Sequence, residues 1–226
     1  VVPLVAPVES NGPHRHLRVA PLNSPDNDIA AGERLELRRT LRRRRADLSA
    51  QQRATAARAI TSHVAATRWL QGARPIALYL SVGSEVDTGP LSELAQRRRC
   101  PVYLPRITDY RTHRMQFVLL SAAQNERNRH GIPEPGGRRS ICPGALSVVF
   151  LPVLGFDARG TRLGSGAGYY DRVFSFRRHR LSWHRPLLVG VSYRCQELPC
   201  IEPQRHDVPL DALVTEDGVR YFRQGG

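Results

Sequence analysis

The chain has 226 residues, enough for one substantial core with a tail, and its 41% hydrophobic and 7% aromatic content is ordinary for a globular protein. No segment approaches eighteen unbroken apolar residues, which excludes a membrane-spanning helix, and the prolines and acid of VVPLVAPVESNGPHRH do not suit a secretory signal. The net charge of +14 makes nucleic acid a partner to consider, but all 34 basic residues are arginine, which reads as a coding bias rather than a selected surface.

Residues 1–33 are rich in proline, lack apolar periodicity and are expected to form a poorly ordered extension. A single domain is expected over residues 34–226. From Arg34 a helical pattern sets Leu37, Leu41 and Leu48 near one face, with arginines covering the rest. Ser49 and Gln52 form a capping-box start for a second helix, whose apolar stripe includes Ile60 and Val64. IALYL is a short strand and SVGSEVDTG the loop after it, where Asp87 and Thr88 read as the cap of a helix through Leu91, Leu94 and Ala95.

VYLP and MQFVLL are further strands, followed by a long polar connection containing GIPEPGG. SVVFLPVLGFD is too continuously apolar for a strand exposed on one face, so a central strand covered on both sides is expected. A helical segment after Tyr169 and strands at LLVGVSY and ALVT complete the chain. Strands separated by helix-length segments predict an α/β fold: a mostly parallel sheet sandwiched between helical layers, Rossmann-like and three-layered. Ligands in such folds sit beyond the carboxyl ends of the strands, which directs attention to the loops after Leu80 and Phe156.

The second of these runs into RLGSGAGYYDR. Gly164, Gly166 and Gly168 permit positive φ or close backbone approach, and successive N–H groups in such a turn can surround an anion at the start of a helix. The spacing is neither the dinucleotide GxGxxG nor a Walker A loop, and a tight turn with two packed tyrosines is the structural alternative. With no lysine in the chain, a polyphosphate would have to be held by guanidiniums, N–H groups and metal. Arg162 can fork onto phosphate oxygens. Asp171 would repel a bare phosphate, a conflict that a shared divalent cation removes; otherwise it favours the helix start or pairs with Arg172. Asp207 could supply a second oxygen ligand. Asp157 reads as the first residue of a DARG turn. Glu85 is either a solvated turn acid or an acceptor for a heterocycle bearing N–H donors.

No histidine or cysteine spacing makes a transition-metal site, and cysteines 100, 142, 195 and 200 contain no CxxC pair, so a reducing, cytoplasmic setting is expected. Ser165 lacks a serine-hydrolase context.

Taken together, LYLSVGSEVDT, LPVLGFDARGTRLGSGAGYYDR and LPCIEPQRHDVPLDALVTEDG make the sequence from about Arg34 to Phe222 resemble the 5-formyltetrahydrofolate cyclo-ligases, also called 5,10-methenyltetrahydrofolate synthetases. GIPEP matches a further landmark of that family. The resemblance implies a single α/β unit that uses ATP and Mg²⁺ to close 5-formyltetrahydrofolate, with or without a polyglutamyl tail, into the methenyl form. It implies a nucleotide loop of Arg162, Leu163, Gly164, Ser165, Gly166, Ala167, Gly168, Tyr169 and Tyr170, which overlaps folate contacts from Ser165 to Tyr169. Asp171 and Asp207 would associate with magnesium. Glu85 would anchor the folate, with Leu80 lining its pocket, and Glu85 and Arg162 would carry the chemistry.

Arg34 and Arg38 match a lysine and an arginine that reach ATP phosphates in the family; Arg34 departs from the lysine. Ser165 and Ala167 also depart, and alanine keeps the turn if its φ is negative. The resemblance implies a monomer with no nucleic-acid or membrane partner. Two other readings are a binding protein of this fold without turnover, and a basic nucleic-acid binder using Arg42–Arg45 and Arg97–Arg99.

Overall fold

A computed structural model describes residues 25–120, 125–127, 133–135, 137, 139–179 and 185–222. Most of the expected extension, and Gly131 and Ile132 of the GIPEP landmark, lie outside them. The chain divides into two units, meeting between Leu35 and Glu36, and the second carries the sheet.

Helix α1 (Pro25–Ala46) begins nine residues earlier than the Arg34 start expected from periodicity. Helix α2 (Ala50–Ala66) starts as its sequence predicts: Ser49 Oγ accepts from the Gln52 N–H, and Gln52 Oε1 accepts from the Ser49 N–H. Strand β1 (Ile76–Ala77) is followed by α3 (Gly89–Arg97). Asp87 caps α3 alone, accepting from the Gly89 N–H at 2.9 Å. The Thr88 hydroxyl instead donates to the Tyr79 carbonyl at 2.6 Å, which ties the helix start to the end of the β1 segment.

The remaining elements follow in order. Strands β2 (Val102–Asp109) and β3 (Arg114–Leu119) form a hairpin; β4 (Asn125–Arg127) pairs with β5 (Pro133–Pro135); β6 (Ser140–Ile141) joins β3. Next come β7 (Val148–Pro152), the small pair β8 (Gly155–Phe156) and β9 (Arg162–Leu163), and α4 (Tyr169–Val173). Strands β10 (Leu187–Val191), β11 (Ala212–Thr215) and β12 (Gly218–Tyr221) end the described chain.

Eight strands make the main sheet in the order β12-β11-β10-β7-β1-β2-β3-β6. Strands β11, β10, β7, β1 and β2 are parallel; β12 and β3 run antiparallel to them on the two sides, and β6 pairs antiparallel with β3 at the edge. The predicted α/β class holds, with antiparallel edges that helix-length spacing could not reveal.

Strand β7 is central, and its alternation assigns each residue to a layer. Val148 and Phe150 join the core formed with Ala57, Ile60 and Val64 of α2 and Leu91 and Ala95 of α3. Val149 and Leu151 face the opposite core with Phe174, Val208 and Leu210. Both faces are covered, as a continuous apolar run requires. A third cluster packs Leu41 of α1 on Leu154, Leu163, Leu198 and Ile201, seating α1 beside the β8–β9 pair. Among the described residues no helix is long and apolar enough to cross a membrane.

Gly190 at the middle of β10 shows how closely one face is filled. A Cβ there would stand 2.7 Å from Leu210 Cδ1, 2.8 Å from Leu213 Cδ1 and 3.0 Å from Val153 Cγ2, all in buried side chains. Gly190→Ala is therefore expected to destabilise the fold by about 2 kcal/mol through overpacking. Gly144→Ala, with open space around its Cβ, should stay within about 0.5 kcal/mol of the parent in urea unfolding.

Candidate active site

The glycine loop leaves β9 and re-enters structure at α4, and both of its ends are clamped together. Arg162 Nη2 donates to Asp171 Oδ1 at 2.5 Å, with the two side chains only 5% and 15% exposed. The Val208 N–H donates to the same oxygen at 3.1 Å, and Arg162 Nε donates to the Val208 carbonyl at 3.3 Å. A near-dry ion pair of this kind draws its firmness from hydrogen bonds that satisfy both partners. It also brings the segment carrying Asp207 directly against Asp171, a proximity that sequence separation left open.

Within the loop, Gly166 and Gly168 have φ of +114° and +67°, where a side chain is strained. A Cβ on Gly168 would in addition approach Arg172 Nη1 to 2.9 Å. Gly164 and Ala167 are outside the positive-φ region, so the condition for tolerating alanine is met. Leu163 is fully buried with Leu41 and Leu154, which leaves only its backbone for the loop.

Three guanidiniums hold the loop's carbonyls. Arg38 Nε donates to Gly164 O at 3.1 Å, Arg42 Nη2 to Ser165 O at 3.2 Å and Arg172 Nη1 to Ala167 O at 2.8 Å. In a planar trans peptide the next N–H points opposite to the carbonyl, so the N–H groups of residues 165, 166 and 168 turn away from those arginines. Among the described residues, none of the N–H groups from 165 to 168 donates to a protein acceptor. The loop thus presents a cluster of oriented donors, the arrangement that suits an anion. Helix α4 has only five residues, so its dipole adds little and the loop amides supply the positive character. A cleft of about 380 Å³ opens beside them, walled by Gly166, Gly168, Asp171, Arg172, Arg178 and His206. A larger cavity of about 670 Å³ lies elsewhere, near Trp69, Val148 and Leu187 at the amino ends of the strands, and includes none of these residues.

The second strand-end loop presents Glu85. Its Oε2 accepts from the Val82 N–H at 3.0 Å, while Oε1 lies 3.8 Å from Arg45 Nη1. Arg45 Nε also donates to Ser84 Oγ at 3.0 Å, and the Tyr193 hydroxyl donates to the Glu85 carbonyl at 3.3 Å. Burial pushes the Glu85 carboxyl above the ordinary glutamate range; the Val82 N–H and Arg45 offset this only in part. This is not a freely solvated turn acid, because its side chain is 20% exposed. Leu80 packs half-buried against the core next to it.

Tyr170 connects the two loops electrostatically. Burial raises its phenol pKa first, the charge of Glu85 raises it further, and Arg162 opposes both. Tyr169 points elsewhere, its ring centroid 5.3 Å from that of His113. The two neighbouring tyrosines are therefore distinguished: one is packed against the core and feels the charges of Glu85 and Arg162, the other rests on a histidine.

Helix α1 also serves both loops. Arg38, Arg42 and Arg45 recur at i, i+4 and i+7 on one helical face, the first two reaching the glycine loop and the third reaching Ser84 and Glu85. From sequence, Arg42 and Arg45 are only part of the arginine cover around the Leu37, Leu41 and Leu48 stripe, or phosphate contacts of a nucleic-acid binder; their spacing beside that stripe is the signal for a site role. Arg34 lies half-buried on α1 in the unit that ends at Leu35.

The acids divide by role. Asp157 is 1% exposed and accepts from the N–H groups of Arg159, Thr161 and Ile201. Burial pushes its pKa up, but those N–H donors prevail and hold it below the usual range, as a structural turn acid requires. Asp207 Oδ2 accepts from the Gln204 N–H at 2.8 Å. Among the described residues no group of three or more His, Cys, Asp or Glu side chains could hold a metal ion alone.

The family model for 5-formyltetrahydrofolate cyclo-ligases matches residues 30–216. A 5-formyltetrahydrofolate cyclo-ligase from Haemophilus influenzae is 32% identical over 188 residues, covering 80% of this chain and 97% of its own. The mouse enzyme of the same name is 29% identical over 202 residues, covering 84% and 95%. The NMR structure of 5,10-methenyltetrahydrofolate synthetase from Aquifex aeolicus superposes with a TM-score of 0.72 at 28% identity, covering 85% of this chain and 94% of that one. Coverage of nearly the whole length of these relatives, by a chain whose two strand-end loops are both held by one face of α1, leads to one assignment: the chain belongs to the 5-formyltetrahydrofolate cyclo-ligase family.

Proposed function

We propose that this chain catalyses the ATP- and Mg²⁺-dependent closure of 5-formyltetrahydrofolate to 5,10-methenyltetrahydrofolate, with release of ADP and phosphate. The observation that carries the reading is the shared placement of the two loops: one face of α1 holds the glycine loop through Arg38 and Arg42 and reaches Ser84 and Glu85 through Arg45.

The residues fit a nucleotide triphosphate. Loop N–H groups 165, 166 and 168, held in place by the Arg38 and Arg172 guanidiniums on the loop carbonyls and by the Arg162–Asp171 pair, would receive the phosphates and spread their charge in a site that contains no lysine. They also fit magnesium brought in with the nucleotide. Mg²⁺ commonly takes one or two carboxylates and completes its shell with phosphate oxygens and water, so Asp171 and Asp207 suffice where a three-acid cage would not be needed. When bound, the ion would neutralise phosphate charge. Asp171 would have to serve it while keeping Oδ1 on Arg162.

In this reading Glu85 accepts hydrogen bonds from the pterin and turns the N5-formyl oxygen toward the γ-phosphate. The formyl oxygen attacks that phosphorus as the bond to ADP breaks. N10 then attacks the formyl carbon and loses its proton, and the carbon–oxygen bond breaks so that the oxygen leaves with phosphate. No protein nucleophile is used; the chain's work is alignment and charge stabilisation. Leu80 would line the pterin pocket, and Tyr170 would pack at the junction of the two substrates. The expected monomer, acting on a free or polyglutamylated folate in the cytoplasm, accords with this chemistry.

Three outcomes test the reading. Glu85→Gln is expected to lower kcat/KM for 5-formyltetrahydrofolate about a hundredfold with KM for ATP within threefold; steady-state kinetics varying each substrate decides it. The elevated Glu85 pKa adds a pH signature. An acid whose folded pKa exceeds its unfolded value favours folding most at low pH, and that contribution is lost as pH rises through the folded pKa. The charged form needed for folate is lost in the opposite direction, so kcat/KM should fall on the acid side above the ordinary glutamate range, and this limb should vanish in Glu85→Gln. Asp171→Asn strands the buried Arg162 charge and is expected to cost about 3 kcal/mol of stability together with magnesium-dependent turnover. Urea unfolding and a magnesium titration read the two losses separately.

A further inference from the structure

Gln196 is a fully internal polar side chain, 1% exposed, that neither loop contains. Its Nε2 donates to the carbonyls of Val153 at 2.9 Å and Leu154 at 2.7 Å, and its Oε1 accepts from the Tyr193 N–H at 3.0 Å. All three bonds are buried, so each is costly to leave unmade and the amide is held in one orientation. The residues it grips lead to the two loops. The Leu154 N–H donates to Leu163 O, one residue from Arg162 and one from Gly164. Tyr193, itself 0% exposed, sends its hydroxyl to the Glu85 carbonyl.

From these contacts we infer that Tyr193 and Gln196 are positioning residues. They form a strap from the base of the glycine loop to the backbone of Glu85, and it sets where the folate-binding acid stands relative to the nucleotide loop. The inference rests on the folate role proposed for Glu85. Its geometry is distinct from that role, because the strap grips the carbonyl at 85 and leaves the carboxylate to ligand. Because the strap reaches Glu85 through its backbone carbonyl, it would act on alignment, where a displacement of about 1 Å can cost a hundredfold in rate. Burial above all pushes the Tyr193 phenol up to about 12, so its hydroxyl remains a donor near neutral pH.

Tyr193→Phe removes only the hydroxyl and keeps the buried ring. It is expected to lower kcat/KM for 5-formyltetrahydrofolate about tenfold, to leave KM for ATP within twofold and to shift the thermal midpoint by no more than a few degrees. Gln196→Met, which keeps the length but loses all three bonds, should impair the use of both substrates. In the Glu85→Gln background Tyr193→Phe should add less than twofold, since residues acting through one another are not additive. A full tenfold loss on top of Glu85→Gln, or unchanged folate kinetics in folded Tyr193→Phe, overturns the strap. If Glu85→Gln itself leaves folate kinetics intact, the folate assignment of Glu85 fails instead, so the two failures are told apart.

Discussion

The buried pair between Arg162 and Asp171 is the constraint on which the site depends. It closes a loop whose two ends leave different elements, β9 and α4, and it recruits the backbone of Val208 from a third. Closing a short loop costs entropy, and a satisfied ion pair in a nearly dry setting supplies a directional restraint against it. With the ends fixed, glycines at 166 and 168 can hold positive φ and the arginines of α1 and α4 can take the outward carbonyls. What remains facing inward is a row of N–H groups without protein acceptors.

Under the proposed function, this arrangement would receive polyphosphate without lysine. An ammonium is a point charge that reaches a phosphate directly. Here several guanidiniums are spent on orienting the peptide dipoles, and the dipoles carry part of the positive field. Arginine suits the indirect task because its fork can hold a carbonyl in a fixed direction. The same helix face extends to Arg45 beside Glu85, so α1 works as a common rail for both loops, seated on the β8–β9 pair by Leu41.

How much of this could be read from residues alone depends on how local each interaction is. The both-faces burial of β7 follows from its continuous apolar run, and the α2 capping box from four adjacent residues. The candidate loops were legible because glycine spacing and strand ends are local signals. The antiparallel edges were not, since pairing direction is decided by tight hairpins and long connections that periodicity does not describe. The Arg162–Asp171 contact spans nine residues across a turn of unusual φ, and the Gln196 bonds to Val153 and Leu154 span more than forty. The partners of Arg42 and Arg45 were not legible, because only the fold brings acceptors to that helix face.

In the proposed function the two strand-end loops form one catalytic centre, in which ATP is consumed only to close the folate ring. The most direct measurement mixes the purified chain with 5-formyltetrahydrofolate, ATP and Mg²⁺ and follows the near-ultraviolet absorbance of the methenyl product alongside ADP. Equimolar methenyl product and ADP are expected, dependent on all three additions. No methenyl product from folded protein, or ADP release at the same rate without the folate, would contradict it.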